Sequence, residues 1–216
     1  MNTDLIKTFY ETTAGDRNRL FSFVVKPDGT PMEFHQFIAE QKLQISIIED
    51  SFVVIPGSFN PLHDAHRRFF DNAPKNYGNS WRKVVAVFEL SIHRKDKEFL
   101  PFEEMAKRIE QFRGYAPVWV TNACYFIEKA GLSIPICPFF EIGFDTAERL
   151  ISDHGVIGVQ GIDAKFTVNP REINGKLWTI DDLKVQFGIT PYNMHPSLTV
   201  YDTVGISSTG IRNGVK

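Results

Sequence analysis

Between residues 51 and 168, short apolar runs alternate with stretches of helical periodicity. Phe52, Val53, Val54 and Ile55 form the first run, with the β-branched composition of a strand covered on both faces. Pro56-Gly57-Ser58 breaks it. After Asn60-Pro61 a helix is predicted, with Leu62, Ala65, Phe69 and Phe70 on its inner stripe. VVAVFELSI (84–92), PVWVT (117–121) and CPFFEIG (137–143) repeat the strand pattern. Helices are predicted between them, from Pro101 with Met105, Ile109 and Phe112 inward, over ACYFIEKAG (123–131) and over FDTAERLI (144–151). GVIGVQGI (155–162) and KFTV (165–168) are predicted as two further strands or one bent one, NPREING (169–175) as a turn, and LTVYD (198–202) as a late strand. Strands alternating with helices predict βαβ units and an α/β fold built on a parallel sheet.

Residues 1–50 carry a different pattern. Leu5, Ile6, Phe9 and Tyr10 mark an amphipathic helix, and FSFVV (21–25) a strand closed by the turn Lys26-Pro27-Asp28-Gly29. A helix over 33–42 and a strand over LQISII (43–48) follow. No chemistry is evident in this stretch. It is expected to be a small N-terminal α/β extension that packs on the main domain or forms a subunit contact, which keeps a homo-oligomer open.

Composition narrows the function. A chain of 216 residues can bury one good core. The net charge of −2 provides no basic field, so nucleic-acid binding is not expected. Cys124 and Cys137 lie in apolar surroundings without metal-ligand spacing, as buried thiols of a reducing compartment would. No apolar run approaches the roughly 18 residues that span a bilayer, and the N-terminus has no signal-peptide core. A cytoplasmic protein without membrane contact is expected.

The chemistry concentrates where the first strand meets its helix. His63 and His66 stand three apart, on one helix face. They sit beside unpaired backbone N–H groups and the positive end of the helix dipole. Gly57 lets a ligand approach the backbone. Donors, a dipole end and two imidazoles at the carboxyl end of a strand make a phosphate site. Far along the chain, ISSTGIR (206–212) offers the hydroxyls and N–H groups of Ser207, Ser208 and Thr209, with the planar cation of Arg212. Lys95 and Lys97 leave the second strand at its carboxyl end, where ligands lie in parallel sheets. Thr121 ends the third strand and Gly143-Phe144-Asp145-Thr146 the fourth. Thr121 is expected to line the same crevice. Trp119 and Trp178 are assigned to core packing rather than to stacking on a base.

GSFNPLHDAH (57–66) resembles the signature of the HxGH nucleotidylyltransferases, roughly G-x-F-x-P-x-H-x-G-H, with Ala65 in place of the usual Gly. ISSTGIR is similar to the ISSTxxR motif of the nicotinamide-nucleotide adenylyltransferases in that superfamily, GFDT to their G-x-D motif, and FELS…DK (88–97) to a segment of adenylyltransferase-like proteins. The resemblance implies a Rossmann-like doubly wound parallel sheet, and a nucleotidylyltransferase domain over residues 51–216. It implies transfer of an adenylyl group from ATP to a phosphate-monoester acceptor, with release of pyrophosphate. Within it, His63, His66 and Arg212 act on the triphosphate and the departing pyrophosphate. Gly57, Ser58, Phe59, Asn60, Ser207, Ser208 and Thr209 hold the nucleotide, and Lys97, Thr121, Gly143 and Asp145 the acceptor. Mg²⁺ is expected to bridge phosphate oxygens, needing few protein ligands of its own. The acceptor the motif set favours is nicotinamide or nicotinate mononucleotide. The nearest alternative is another adenylyl- or cytidylyltransferase of the same fold, acting on phosphopantetheine, a flavin or an alcohol phosphate, and an inactive nucleotide-binding regulator is the alternative class. A class I aminoacyl-tRNA synthetase shares the histidine motif, but this chain lacks an anticodon-binding region and a basic surface.

Overall fold

The computed structural model describes residues 2–15, 19–43, 50–78, 83–93 and 98–197. The chain begins with α1 (Thr3–Gly15), β1 (Ser22–Val25), β2 (Pro31–Glu33) and α2 (Phe34–Gln41). The alternating part follows as β3 (Ser51–Pro56), α3 (Asp64–Tyr77), β4 (Val84–Ser91), α4 (Phe102–Glu110), β5 (Val118–Thr121) and α5 (Phe126–Ser133). It continues through β6 (Phe139–Gly143), α6 (Phe144–Gln160) and β7 (Lys165–Asn169). A hairpin of β8 (Arg171–Ile173) and β9 (Lys176–Trp178), then α7 (Ile180–Phe187) and β10 (Met194–Pro196), complete the described elements.

Eight strands form one sheet in the order β10-β7-β6-β3-β4-β5-β1-β2. From β10 to β5 all neighbours are parallel. From β3 the chain winds through β4 to β5, then crosses back to β6 on the other side of β3 and proceeds to β7. This is a doubly wound, Rossmann-like sheet, and its winding reverses between β3 and β6. A crevice opens there at the carboxyl ends of the strands.

Two cores cover the two faces. Phe52 and Val54 of β3 pack with Val85, Val87, Phe140 and Phe166 beneath α2, α5, α6 and α7. Val53 and Ile55 point the other way, to Phe88, Leu90, Val118 and Val120 beneath α1, α3 and α4. All four β3 residues are buried, as their unbroken apolar run requires. The elements α1, β1, β2 and α2 share both cores. β1 pairs antiparallel with β5 and β2 with β1, so this segment lengthens the sheet at its edge, while Phe34 stacks on Trp119 with ring centroids 4.7 Å apart.

Three expectations fail. Cys137 is exposed and Cys124 half-buried, so neither is a buried thiol. GVIGVQGI is not a strand but the end of α6, which breaks at Gly155 (φ 67°) and resumes. Its apolar residues do not alternate between faces: Val159 is buried, whereas Ile157 stands 84 % exposed. NPREING is more than a turn. Arg171–Ile173 pairs with Lys176–Trp178, and Asn174-Gly175 supplies the two positive φ angles that a tight hairpin needs. The predicted strands LQISII and LTVYD lie outside the described residues, apart from Leu43. Among the described residues no helix is long and apolar enough to cross a membrane.

Candidate active site

The crevice is a cleft of ≈ 680 Å³, with His63, His66, Glu89, Lys129, Asp145 and Arg171 in its lining. At its base the chain passes from β3 to α3 through a loop with little conformational choice. Phe59 adopts a positive φ of 47° and is fully buried. Its ring lies under His66 and against Phe88 and Phe112, all at centroid distances of 5.0–5.3 Å. A side chain at Gly57 would meet that ring, because a Cβ there would fall 2.5 Å from a Phe59 ring carbon. Glycine is therefore dictated by close approach. Helix α4 grips the same loop: Arg108 donates to the Ser58 carbonyl at 2.9 Å while Glu104 holds its guanidinium.

His63 caps α3 in an extended conformation and His66 follows in the first turn. Their rings stack at 3.7 Å, inclined by 20°. Burial holds both imidazoles below their ordinary pKa. His66 falls to about 3, with the neighbouring His63 and Arg171 adding like-charge repulsion, and Arg171 depresses His63 in the same way. Both rings are thus neutral at physiological pH. The Nδ1 atom of each is buried without a hydrogen-bond partner. An N–H sealed in without an acceptor is rarely tolerated, so the proton belongs on Nε2, and each ring offers an Nε2–H donor to the cleft.

Arg171 enters from the carboxyl end of β7 and donates to Asp145 Oδ1 at 2.7 Å. Asp145 stands in the first turn of α6, and a Cβ at Gly143 would crowd it at 2.9 Å. Two buried carboxylates complete the floor. Glu141 accepts from Tyr77 (2.8 Å) and Asn169 (2.6 Å), and Tyr77, whose one proton goes to Glu141, accepts from the Thr167 hydroxyl. Burial raises the Glu141 pKa, against those two hydrogen bonds. Glu89 accepts from Thr121 (2.7 Å) and Lys129 (2.8 Å).

A paired-histidine loop at the winding reversal of a parallel sheet has one more observation beside it: a model of the cytidylyltransferase-like family matches residues 54–214. The chain belongs to that family. The family lies within the HxGH nucleotidylyltransferase superfamily, and membership supports a nucleotidyltransferase activity in general. No curated protein matches the chain closely enough to be set beside it.

Of the residues expected at this site, Gly57, Ser58, His63, His66, Gly143 and Asp145 line one cleft. Phe59 lies beneath His66 rather than in the cleft wall, and Asn60 continues the loop it shapes. Thr121 is a correction. It is fully buried and does not line the cleft, because its hydroxyl is turned onto Glu89 beneath the wall. Lys97, Ser207, Ser208, Thr209 and Arg212 lie outside the described residues, although the family match extends over all of them. Trp119 is core, as expected; Trp178 packs on Phe144 and under Lys176. Arg171, Arg108, Lys129, Glu89 and Glu141 are site residues that the sequence reading misses. Arg171 carries a usable signal, since it directly follows the carboxyl end of a parallel strand. Arg108 and Lys129 sit inside helices, where nothing separates them from solvated charges.

Proposed function

We propose that the protein transfers an adenylyl group from ATP to a phosphate monoester, releasing pyrophosphate, and that the acceptor is nicotinamide or nicotinate mononucleotide. The observation that carries the first part is the stacked, neutral His63–His66 pair at the start of α3, with Arg171 close enough to depress both. Two preorganised Nε2–H donors, a helix N-terminus and a guanidinium face one cleft. They suit a polyphosphate whose charge grows as pyrophosphate departs. A phosphate-monoester acceptor is already anionic and needs no general base, so positioning and charge stabilisation supply the catalysis.

His63 and His66 donate to phosphate oxygens, the loop Gly57–Asn60 shapes the nucleotide's seat, and Arg212 with Ser207, Ser208 and Thr209 takes the outer phosphates. Lys97 and Asp145 serve the acceptor. Among the described residues no group of three or more His, Cys, Asp or Glu side chains converges as a metal cage. Mg²⁺ would be carried by phosphate oxygens and water, with Asp145 available to orient such a water. When bound, it would neutralise part of the phosphate charge.

The mononucleotide acceptor is supported by the joint likeness of ISSTGIR, GFDT and FELS…DK to the nicotinamide-nucleotide branch. The test is pyrophosphate release with ATP or CTP against a panel of phosphate monoesters. Dinucleotide and pyrophosphate in equal amounts from ATP and a pyridine mononucleotide is the expected result. Turnover with a different monoester, and none with either pyridine nucleotide, would overturn the acceptor; CTP preferred over ATP would overturn the donor.

A further inference from the structure

The β4–α5 wall of the cleft is built differently from the histidine loop. Lys129 is 7 % exposed and Glu89 1 % exposed, so a whole ion pair has been taken out of water. Burying such a pair is a poor source of stability, because desolvation offsets the attraction. Its place in the wall of a ligand cleft suggests another use. Both Glu89 oxygens are engaged, one by Thr121 and the other by Lys129. Lys129 has donors to spare: of its three N–H groups one goes to Glu89, and among the described residues no second acceptor reaches it. The Phe126 ring lies 5.2 Å from the ammonium, and Phe126 and Tyr125 line the cleft beside it.

We propose that Lys129, held in place by Glu89, contacts the non-phosphate end of the acceptor and donates a hydrogen bond to an uncharged carbonyl-type oxygen on a flat ring. This rests on the nucleotidyl-transfer reading above. The charges decide the chemistry. Lys129 and Glu89 sum to zero, so this wall exerts little pull on a second phosphate. A carbonyl oxygen still gains a charge-assisted hydrogen bond from the ammonium, whereas a carboxylate would also meet the repulsion of Glu89. The aromatic surface of Phe126 and Tyr125 suits a planar ring. A pyridine carboxamide has both features.

The experiment measures KM for ATP and for the acceptor in wild type, in Lys129→Met and in the double variant Glu89→Gln/Lys129→Met, whose buried wall holds no lone charge. Both variants are expected to raise the acceptor KM about 10- to 100-fold, the loss of one charge-assisted hydrogen bond, and to leave the KM for ATP unchanged. The same selective loss in the double variant separates the effect from misfolding. Glu89→Gln alone keeps the donor and frees its charge, so kcat/KM should shift from the amide mononucleotide toward the acid form. If wild type uses another phosphate monoester, the nicotinamide reading falls while a selective rise in that acceptor's KM still supports Lys129. An unchanged acceptor KM, or an equal rise for ATP, overturns the Lys129 assignment and leaves nucleotidyl transfer standing. If no monoester turns over, calorimetric titration of nicotinamide mononucleotide replaces KM, and binding that is absent, or indifferent to the substitutions, overturns the assignment.

Discussion

Gln111 holds the loop at Phe59 from both directions. Its amide donates to the Phe59 carbonyl at 2.9 Å, and its oxygen accepts the Leu62 N–H at 2.8 Å. One side chain just beyond α4 therefore ties together the two ends of the segment that turns β3 into α3. The segment needs it, since Phe59 is a non-glycine residue at positive φ, a conformation that neighbours must enforce.

Removing that grip should loosen the histidines without touching them. Gln111→Ala is expected to cost about 1–3 kcal/mol of stability, the range for leaving a buried polar group unsatisfied. It should also weaken binding of the triphosphate. Gln111→Glu keeps the acceptor for Leu62 but replaces the donor to Phe59, so its loss should exceed that of a neutral change. Urea midpoints and the KM for ATP, measured on both variants, decide it. Normal ATP affinity in a destabilised Gln111→Ala would confine Gln111 to folding.

Gly57→Ala tests the same loop from the opposite side. The added methyl would stand 2.5 Å from the Phe59 ring, and that ring supports His66. Phe59 must move, and overpacking of this kind costs about 1–3 kcal/mol. Turnover should fall by more than stability implies. His66→Ala should lower kcat by about two orders of magnitude, as for loss of a preorganised donor, with its melting curve close to that of wild type. Full turnover in a folded His66→Ala protein would remove His66 from the mechanism.

How much of this is legible in the sequence depends on whether a residue's role is local. SFVVIPGSFNPLHDAH carries its own strand, break, loop and helix start, so β3, α3 and the histidine pair follow from adjacent residues. Gln111 and Arg108 act on that loop from about fifty positions away, through a helix whose facing is set only when the sheet winds. Their sequence context is that of ordinary polar helix residues. The placement of β1 beside β5 has the same character: FSFVV announces a strand but not its partner. GVIGVQGI misleads for another reason. Its β-branched residues favour a strand, but Gly155 allows the chain to break and resume as helix, and Val159 then reaches the core.

The histidine pair also sets a pH dependence. Folded-state pKa values below the usual 6.5 mean that the unfolded chain binds protons first as pH falls. Stability is therefore full above about pH 6.5 and declines with acid, down to the region near 3 where folded His66 titrates. The slope is at most about 1.4 kcal/mol per pH unit for each histidine. Urea midpoints at about pH 7, 6 and 5 should fall steadily, and His66→Phe should flatten the decline. Polyphosphate binding acts the other way. An anion beside the rings raises both pKa values, so ATP binding at mildly acidic pH should take up protons, readable by calorimetry in two buffers of different ionisation enthalpy. Proton release on binding would contradict neutral imidazoles in the free site.

The two cations proposed for the phosphates differ in what they touch. Arg171 is engaged by Asp145 at 2.7 Å and repels positive charge on both imidazoles. Arg171→Ala should raise the histidine pKa values and move the acid limb of kcat upward in pH, because a like charge has gone. Arg212, in the proposal above, meets only the outer phosphates. Arg212→Ala should then weaken ATP far more than AMP, since the monophosphate lacks the groups it would touch. The ratio of the two affinities is the measurement, taken on both variants by calorimetry. Equal weakening of ATP and AMP by Arg212→Ala would place ISSTGIR outside the triphosphate site. A selective loss of ATP in Arg171→Ala, with none in Arg212→Ala, would give the pyrophosphate contact to Arg171 instead.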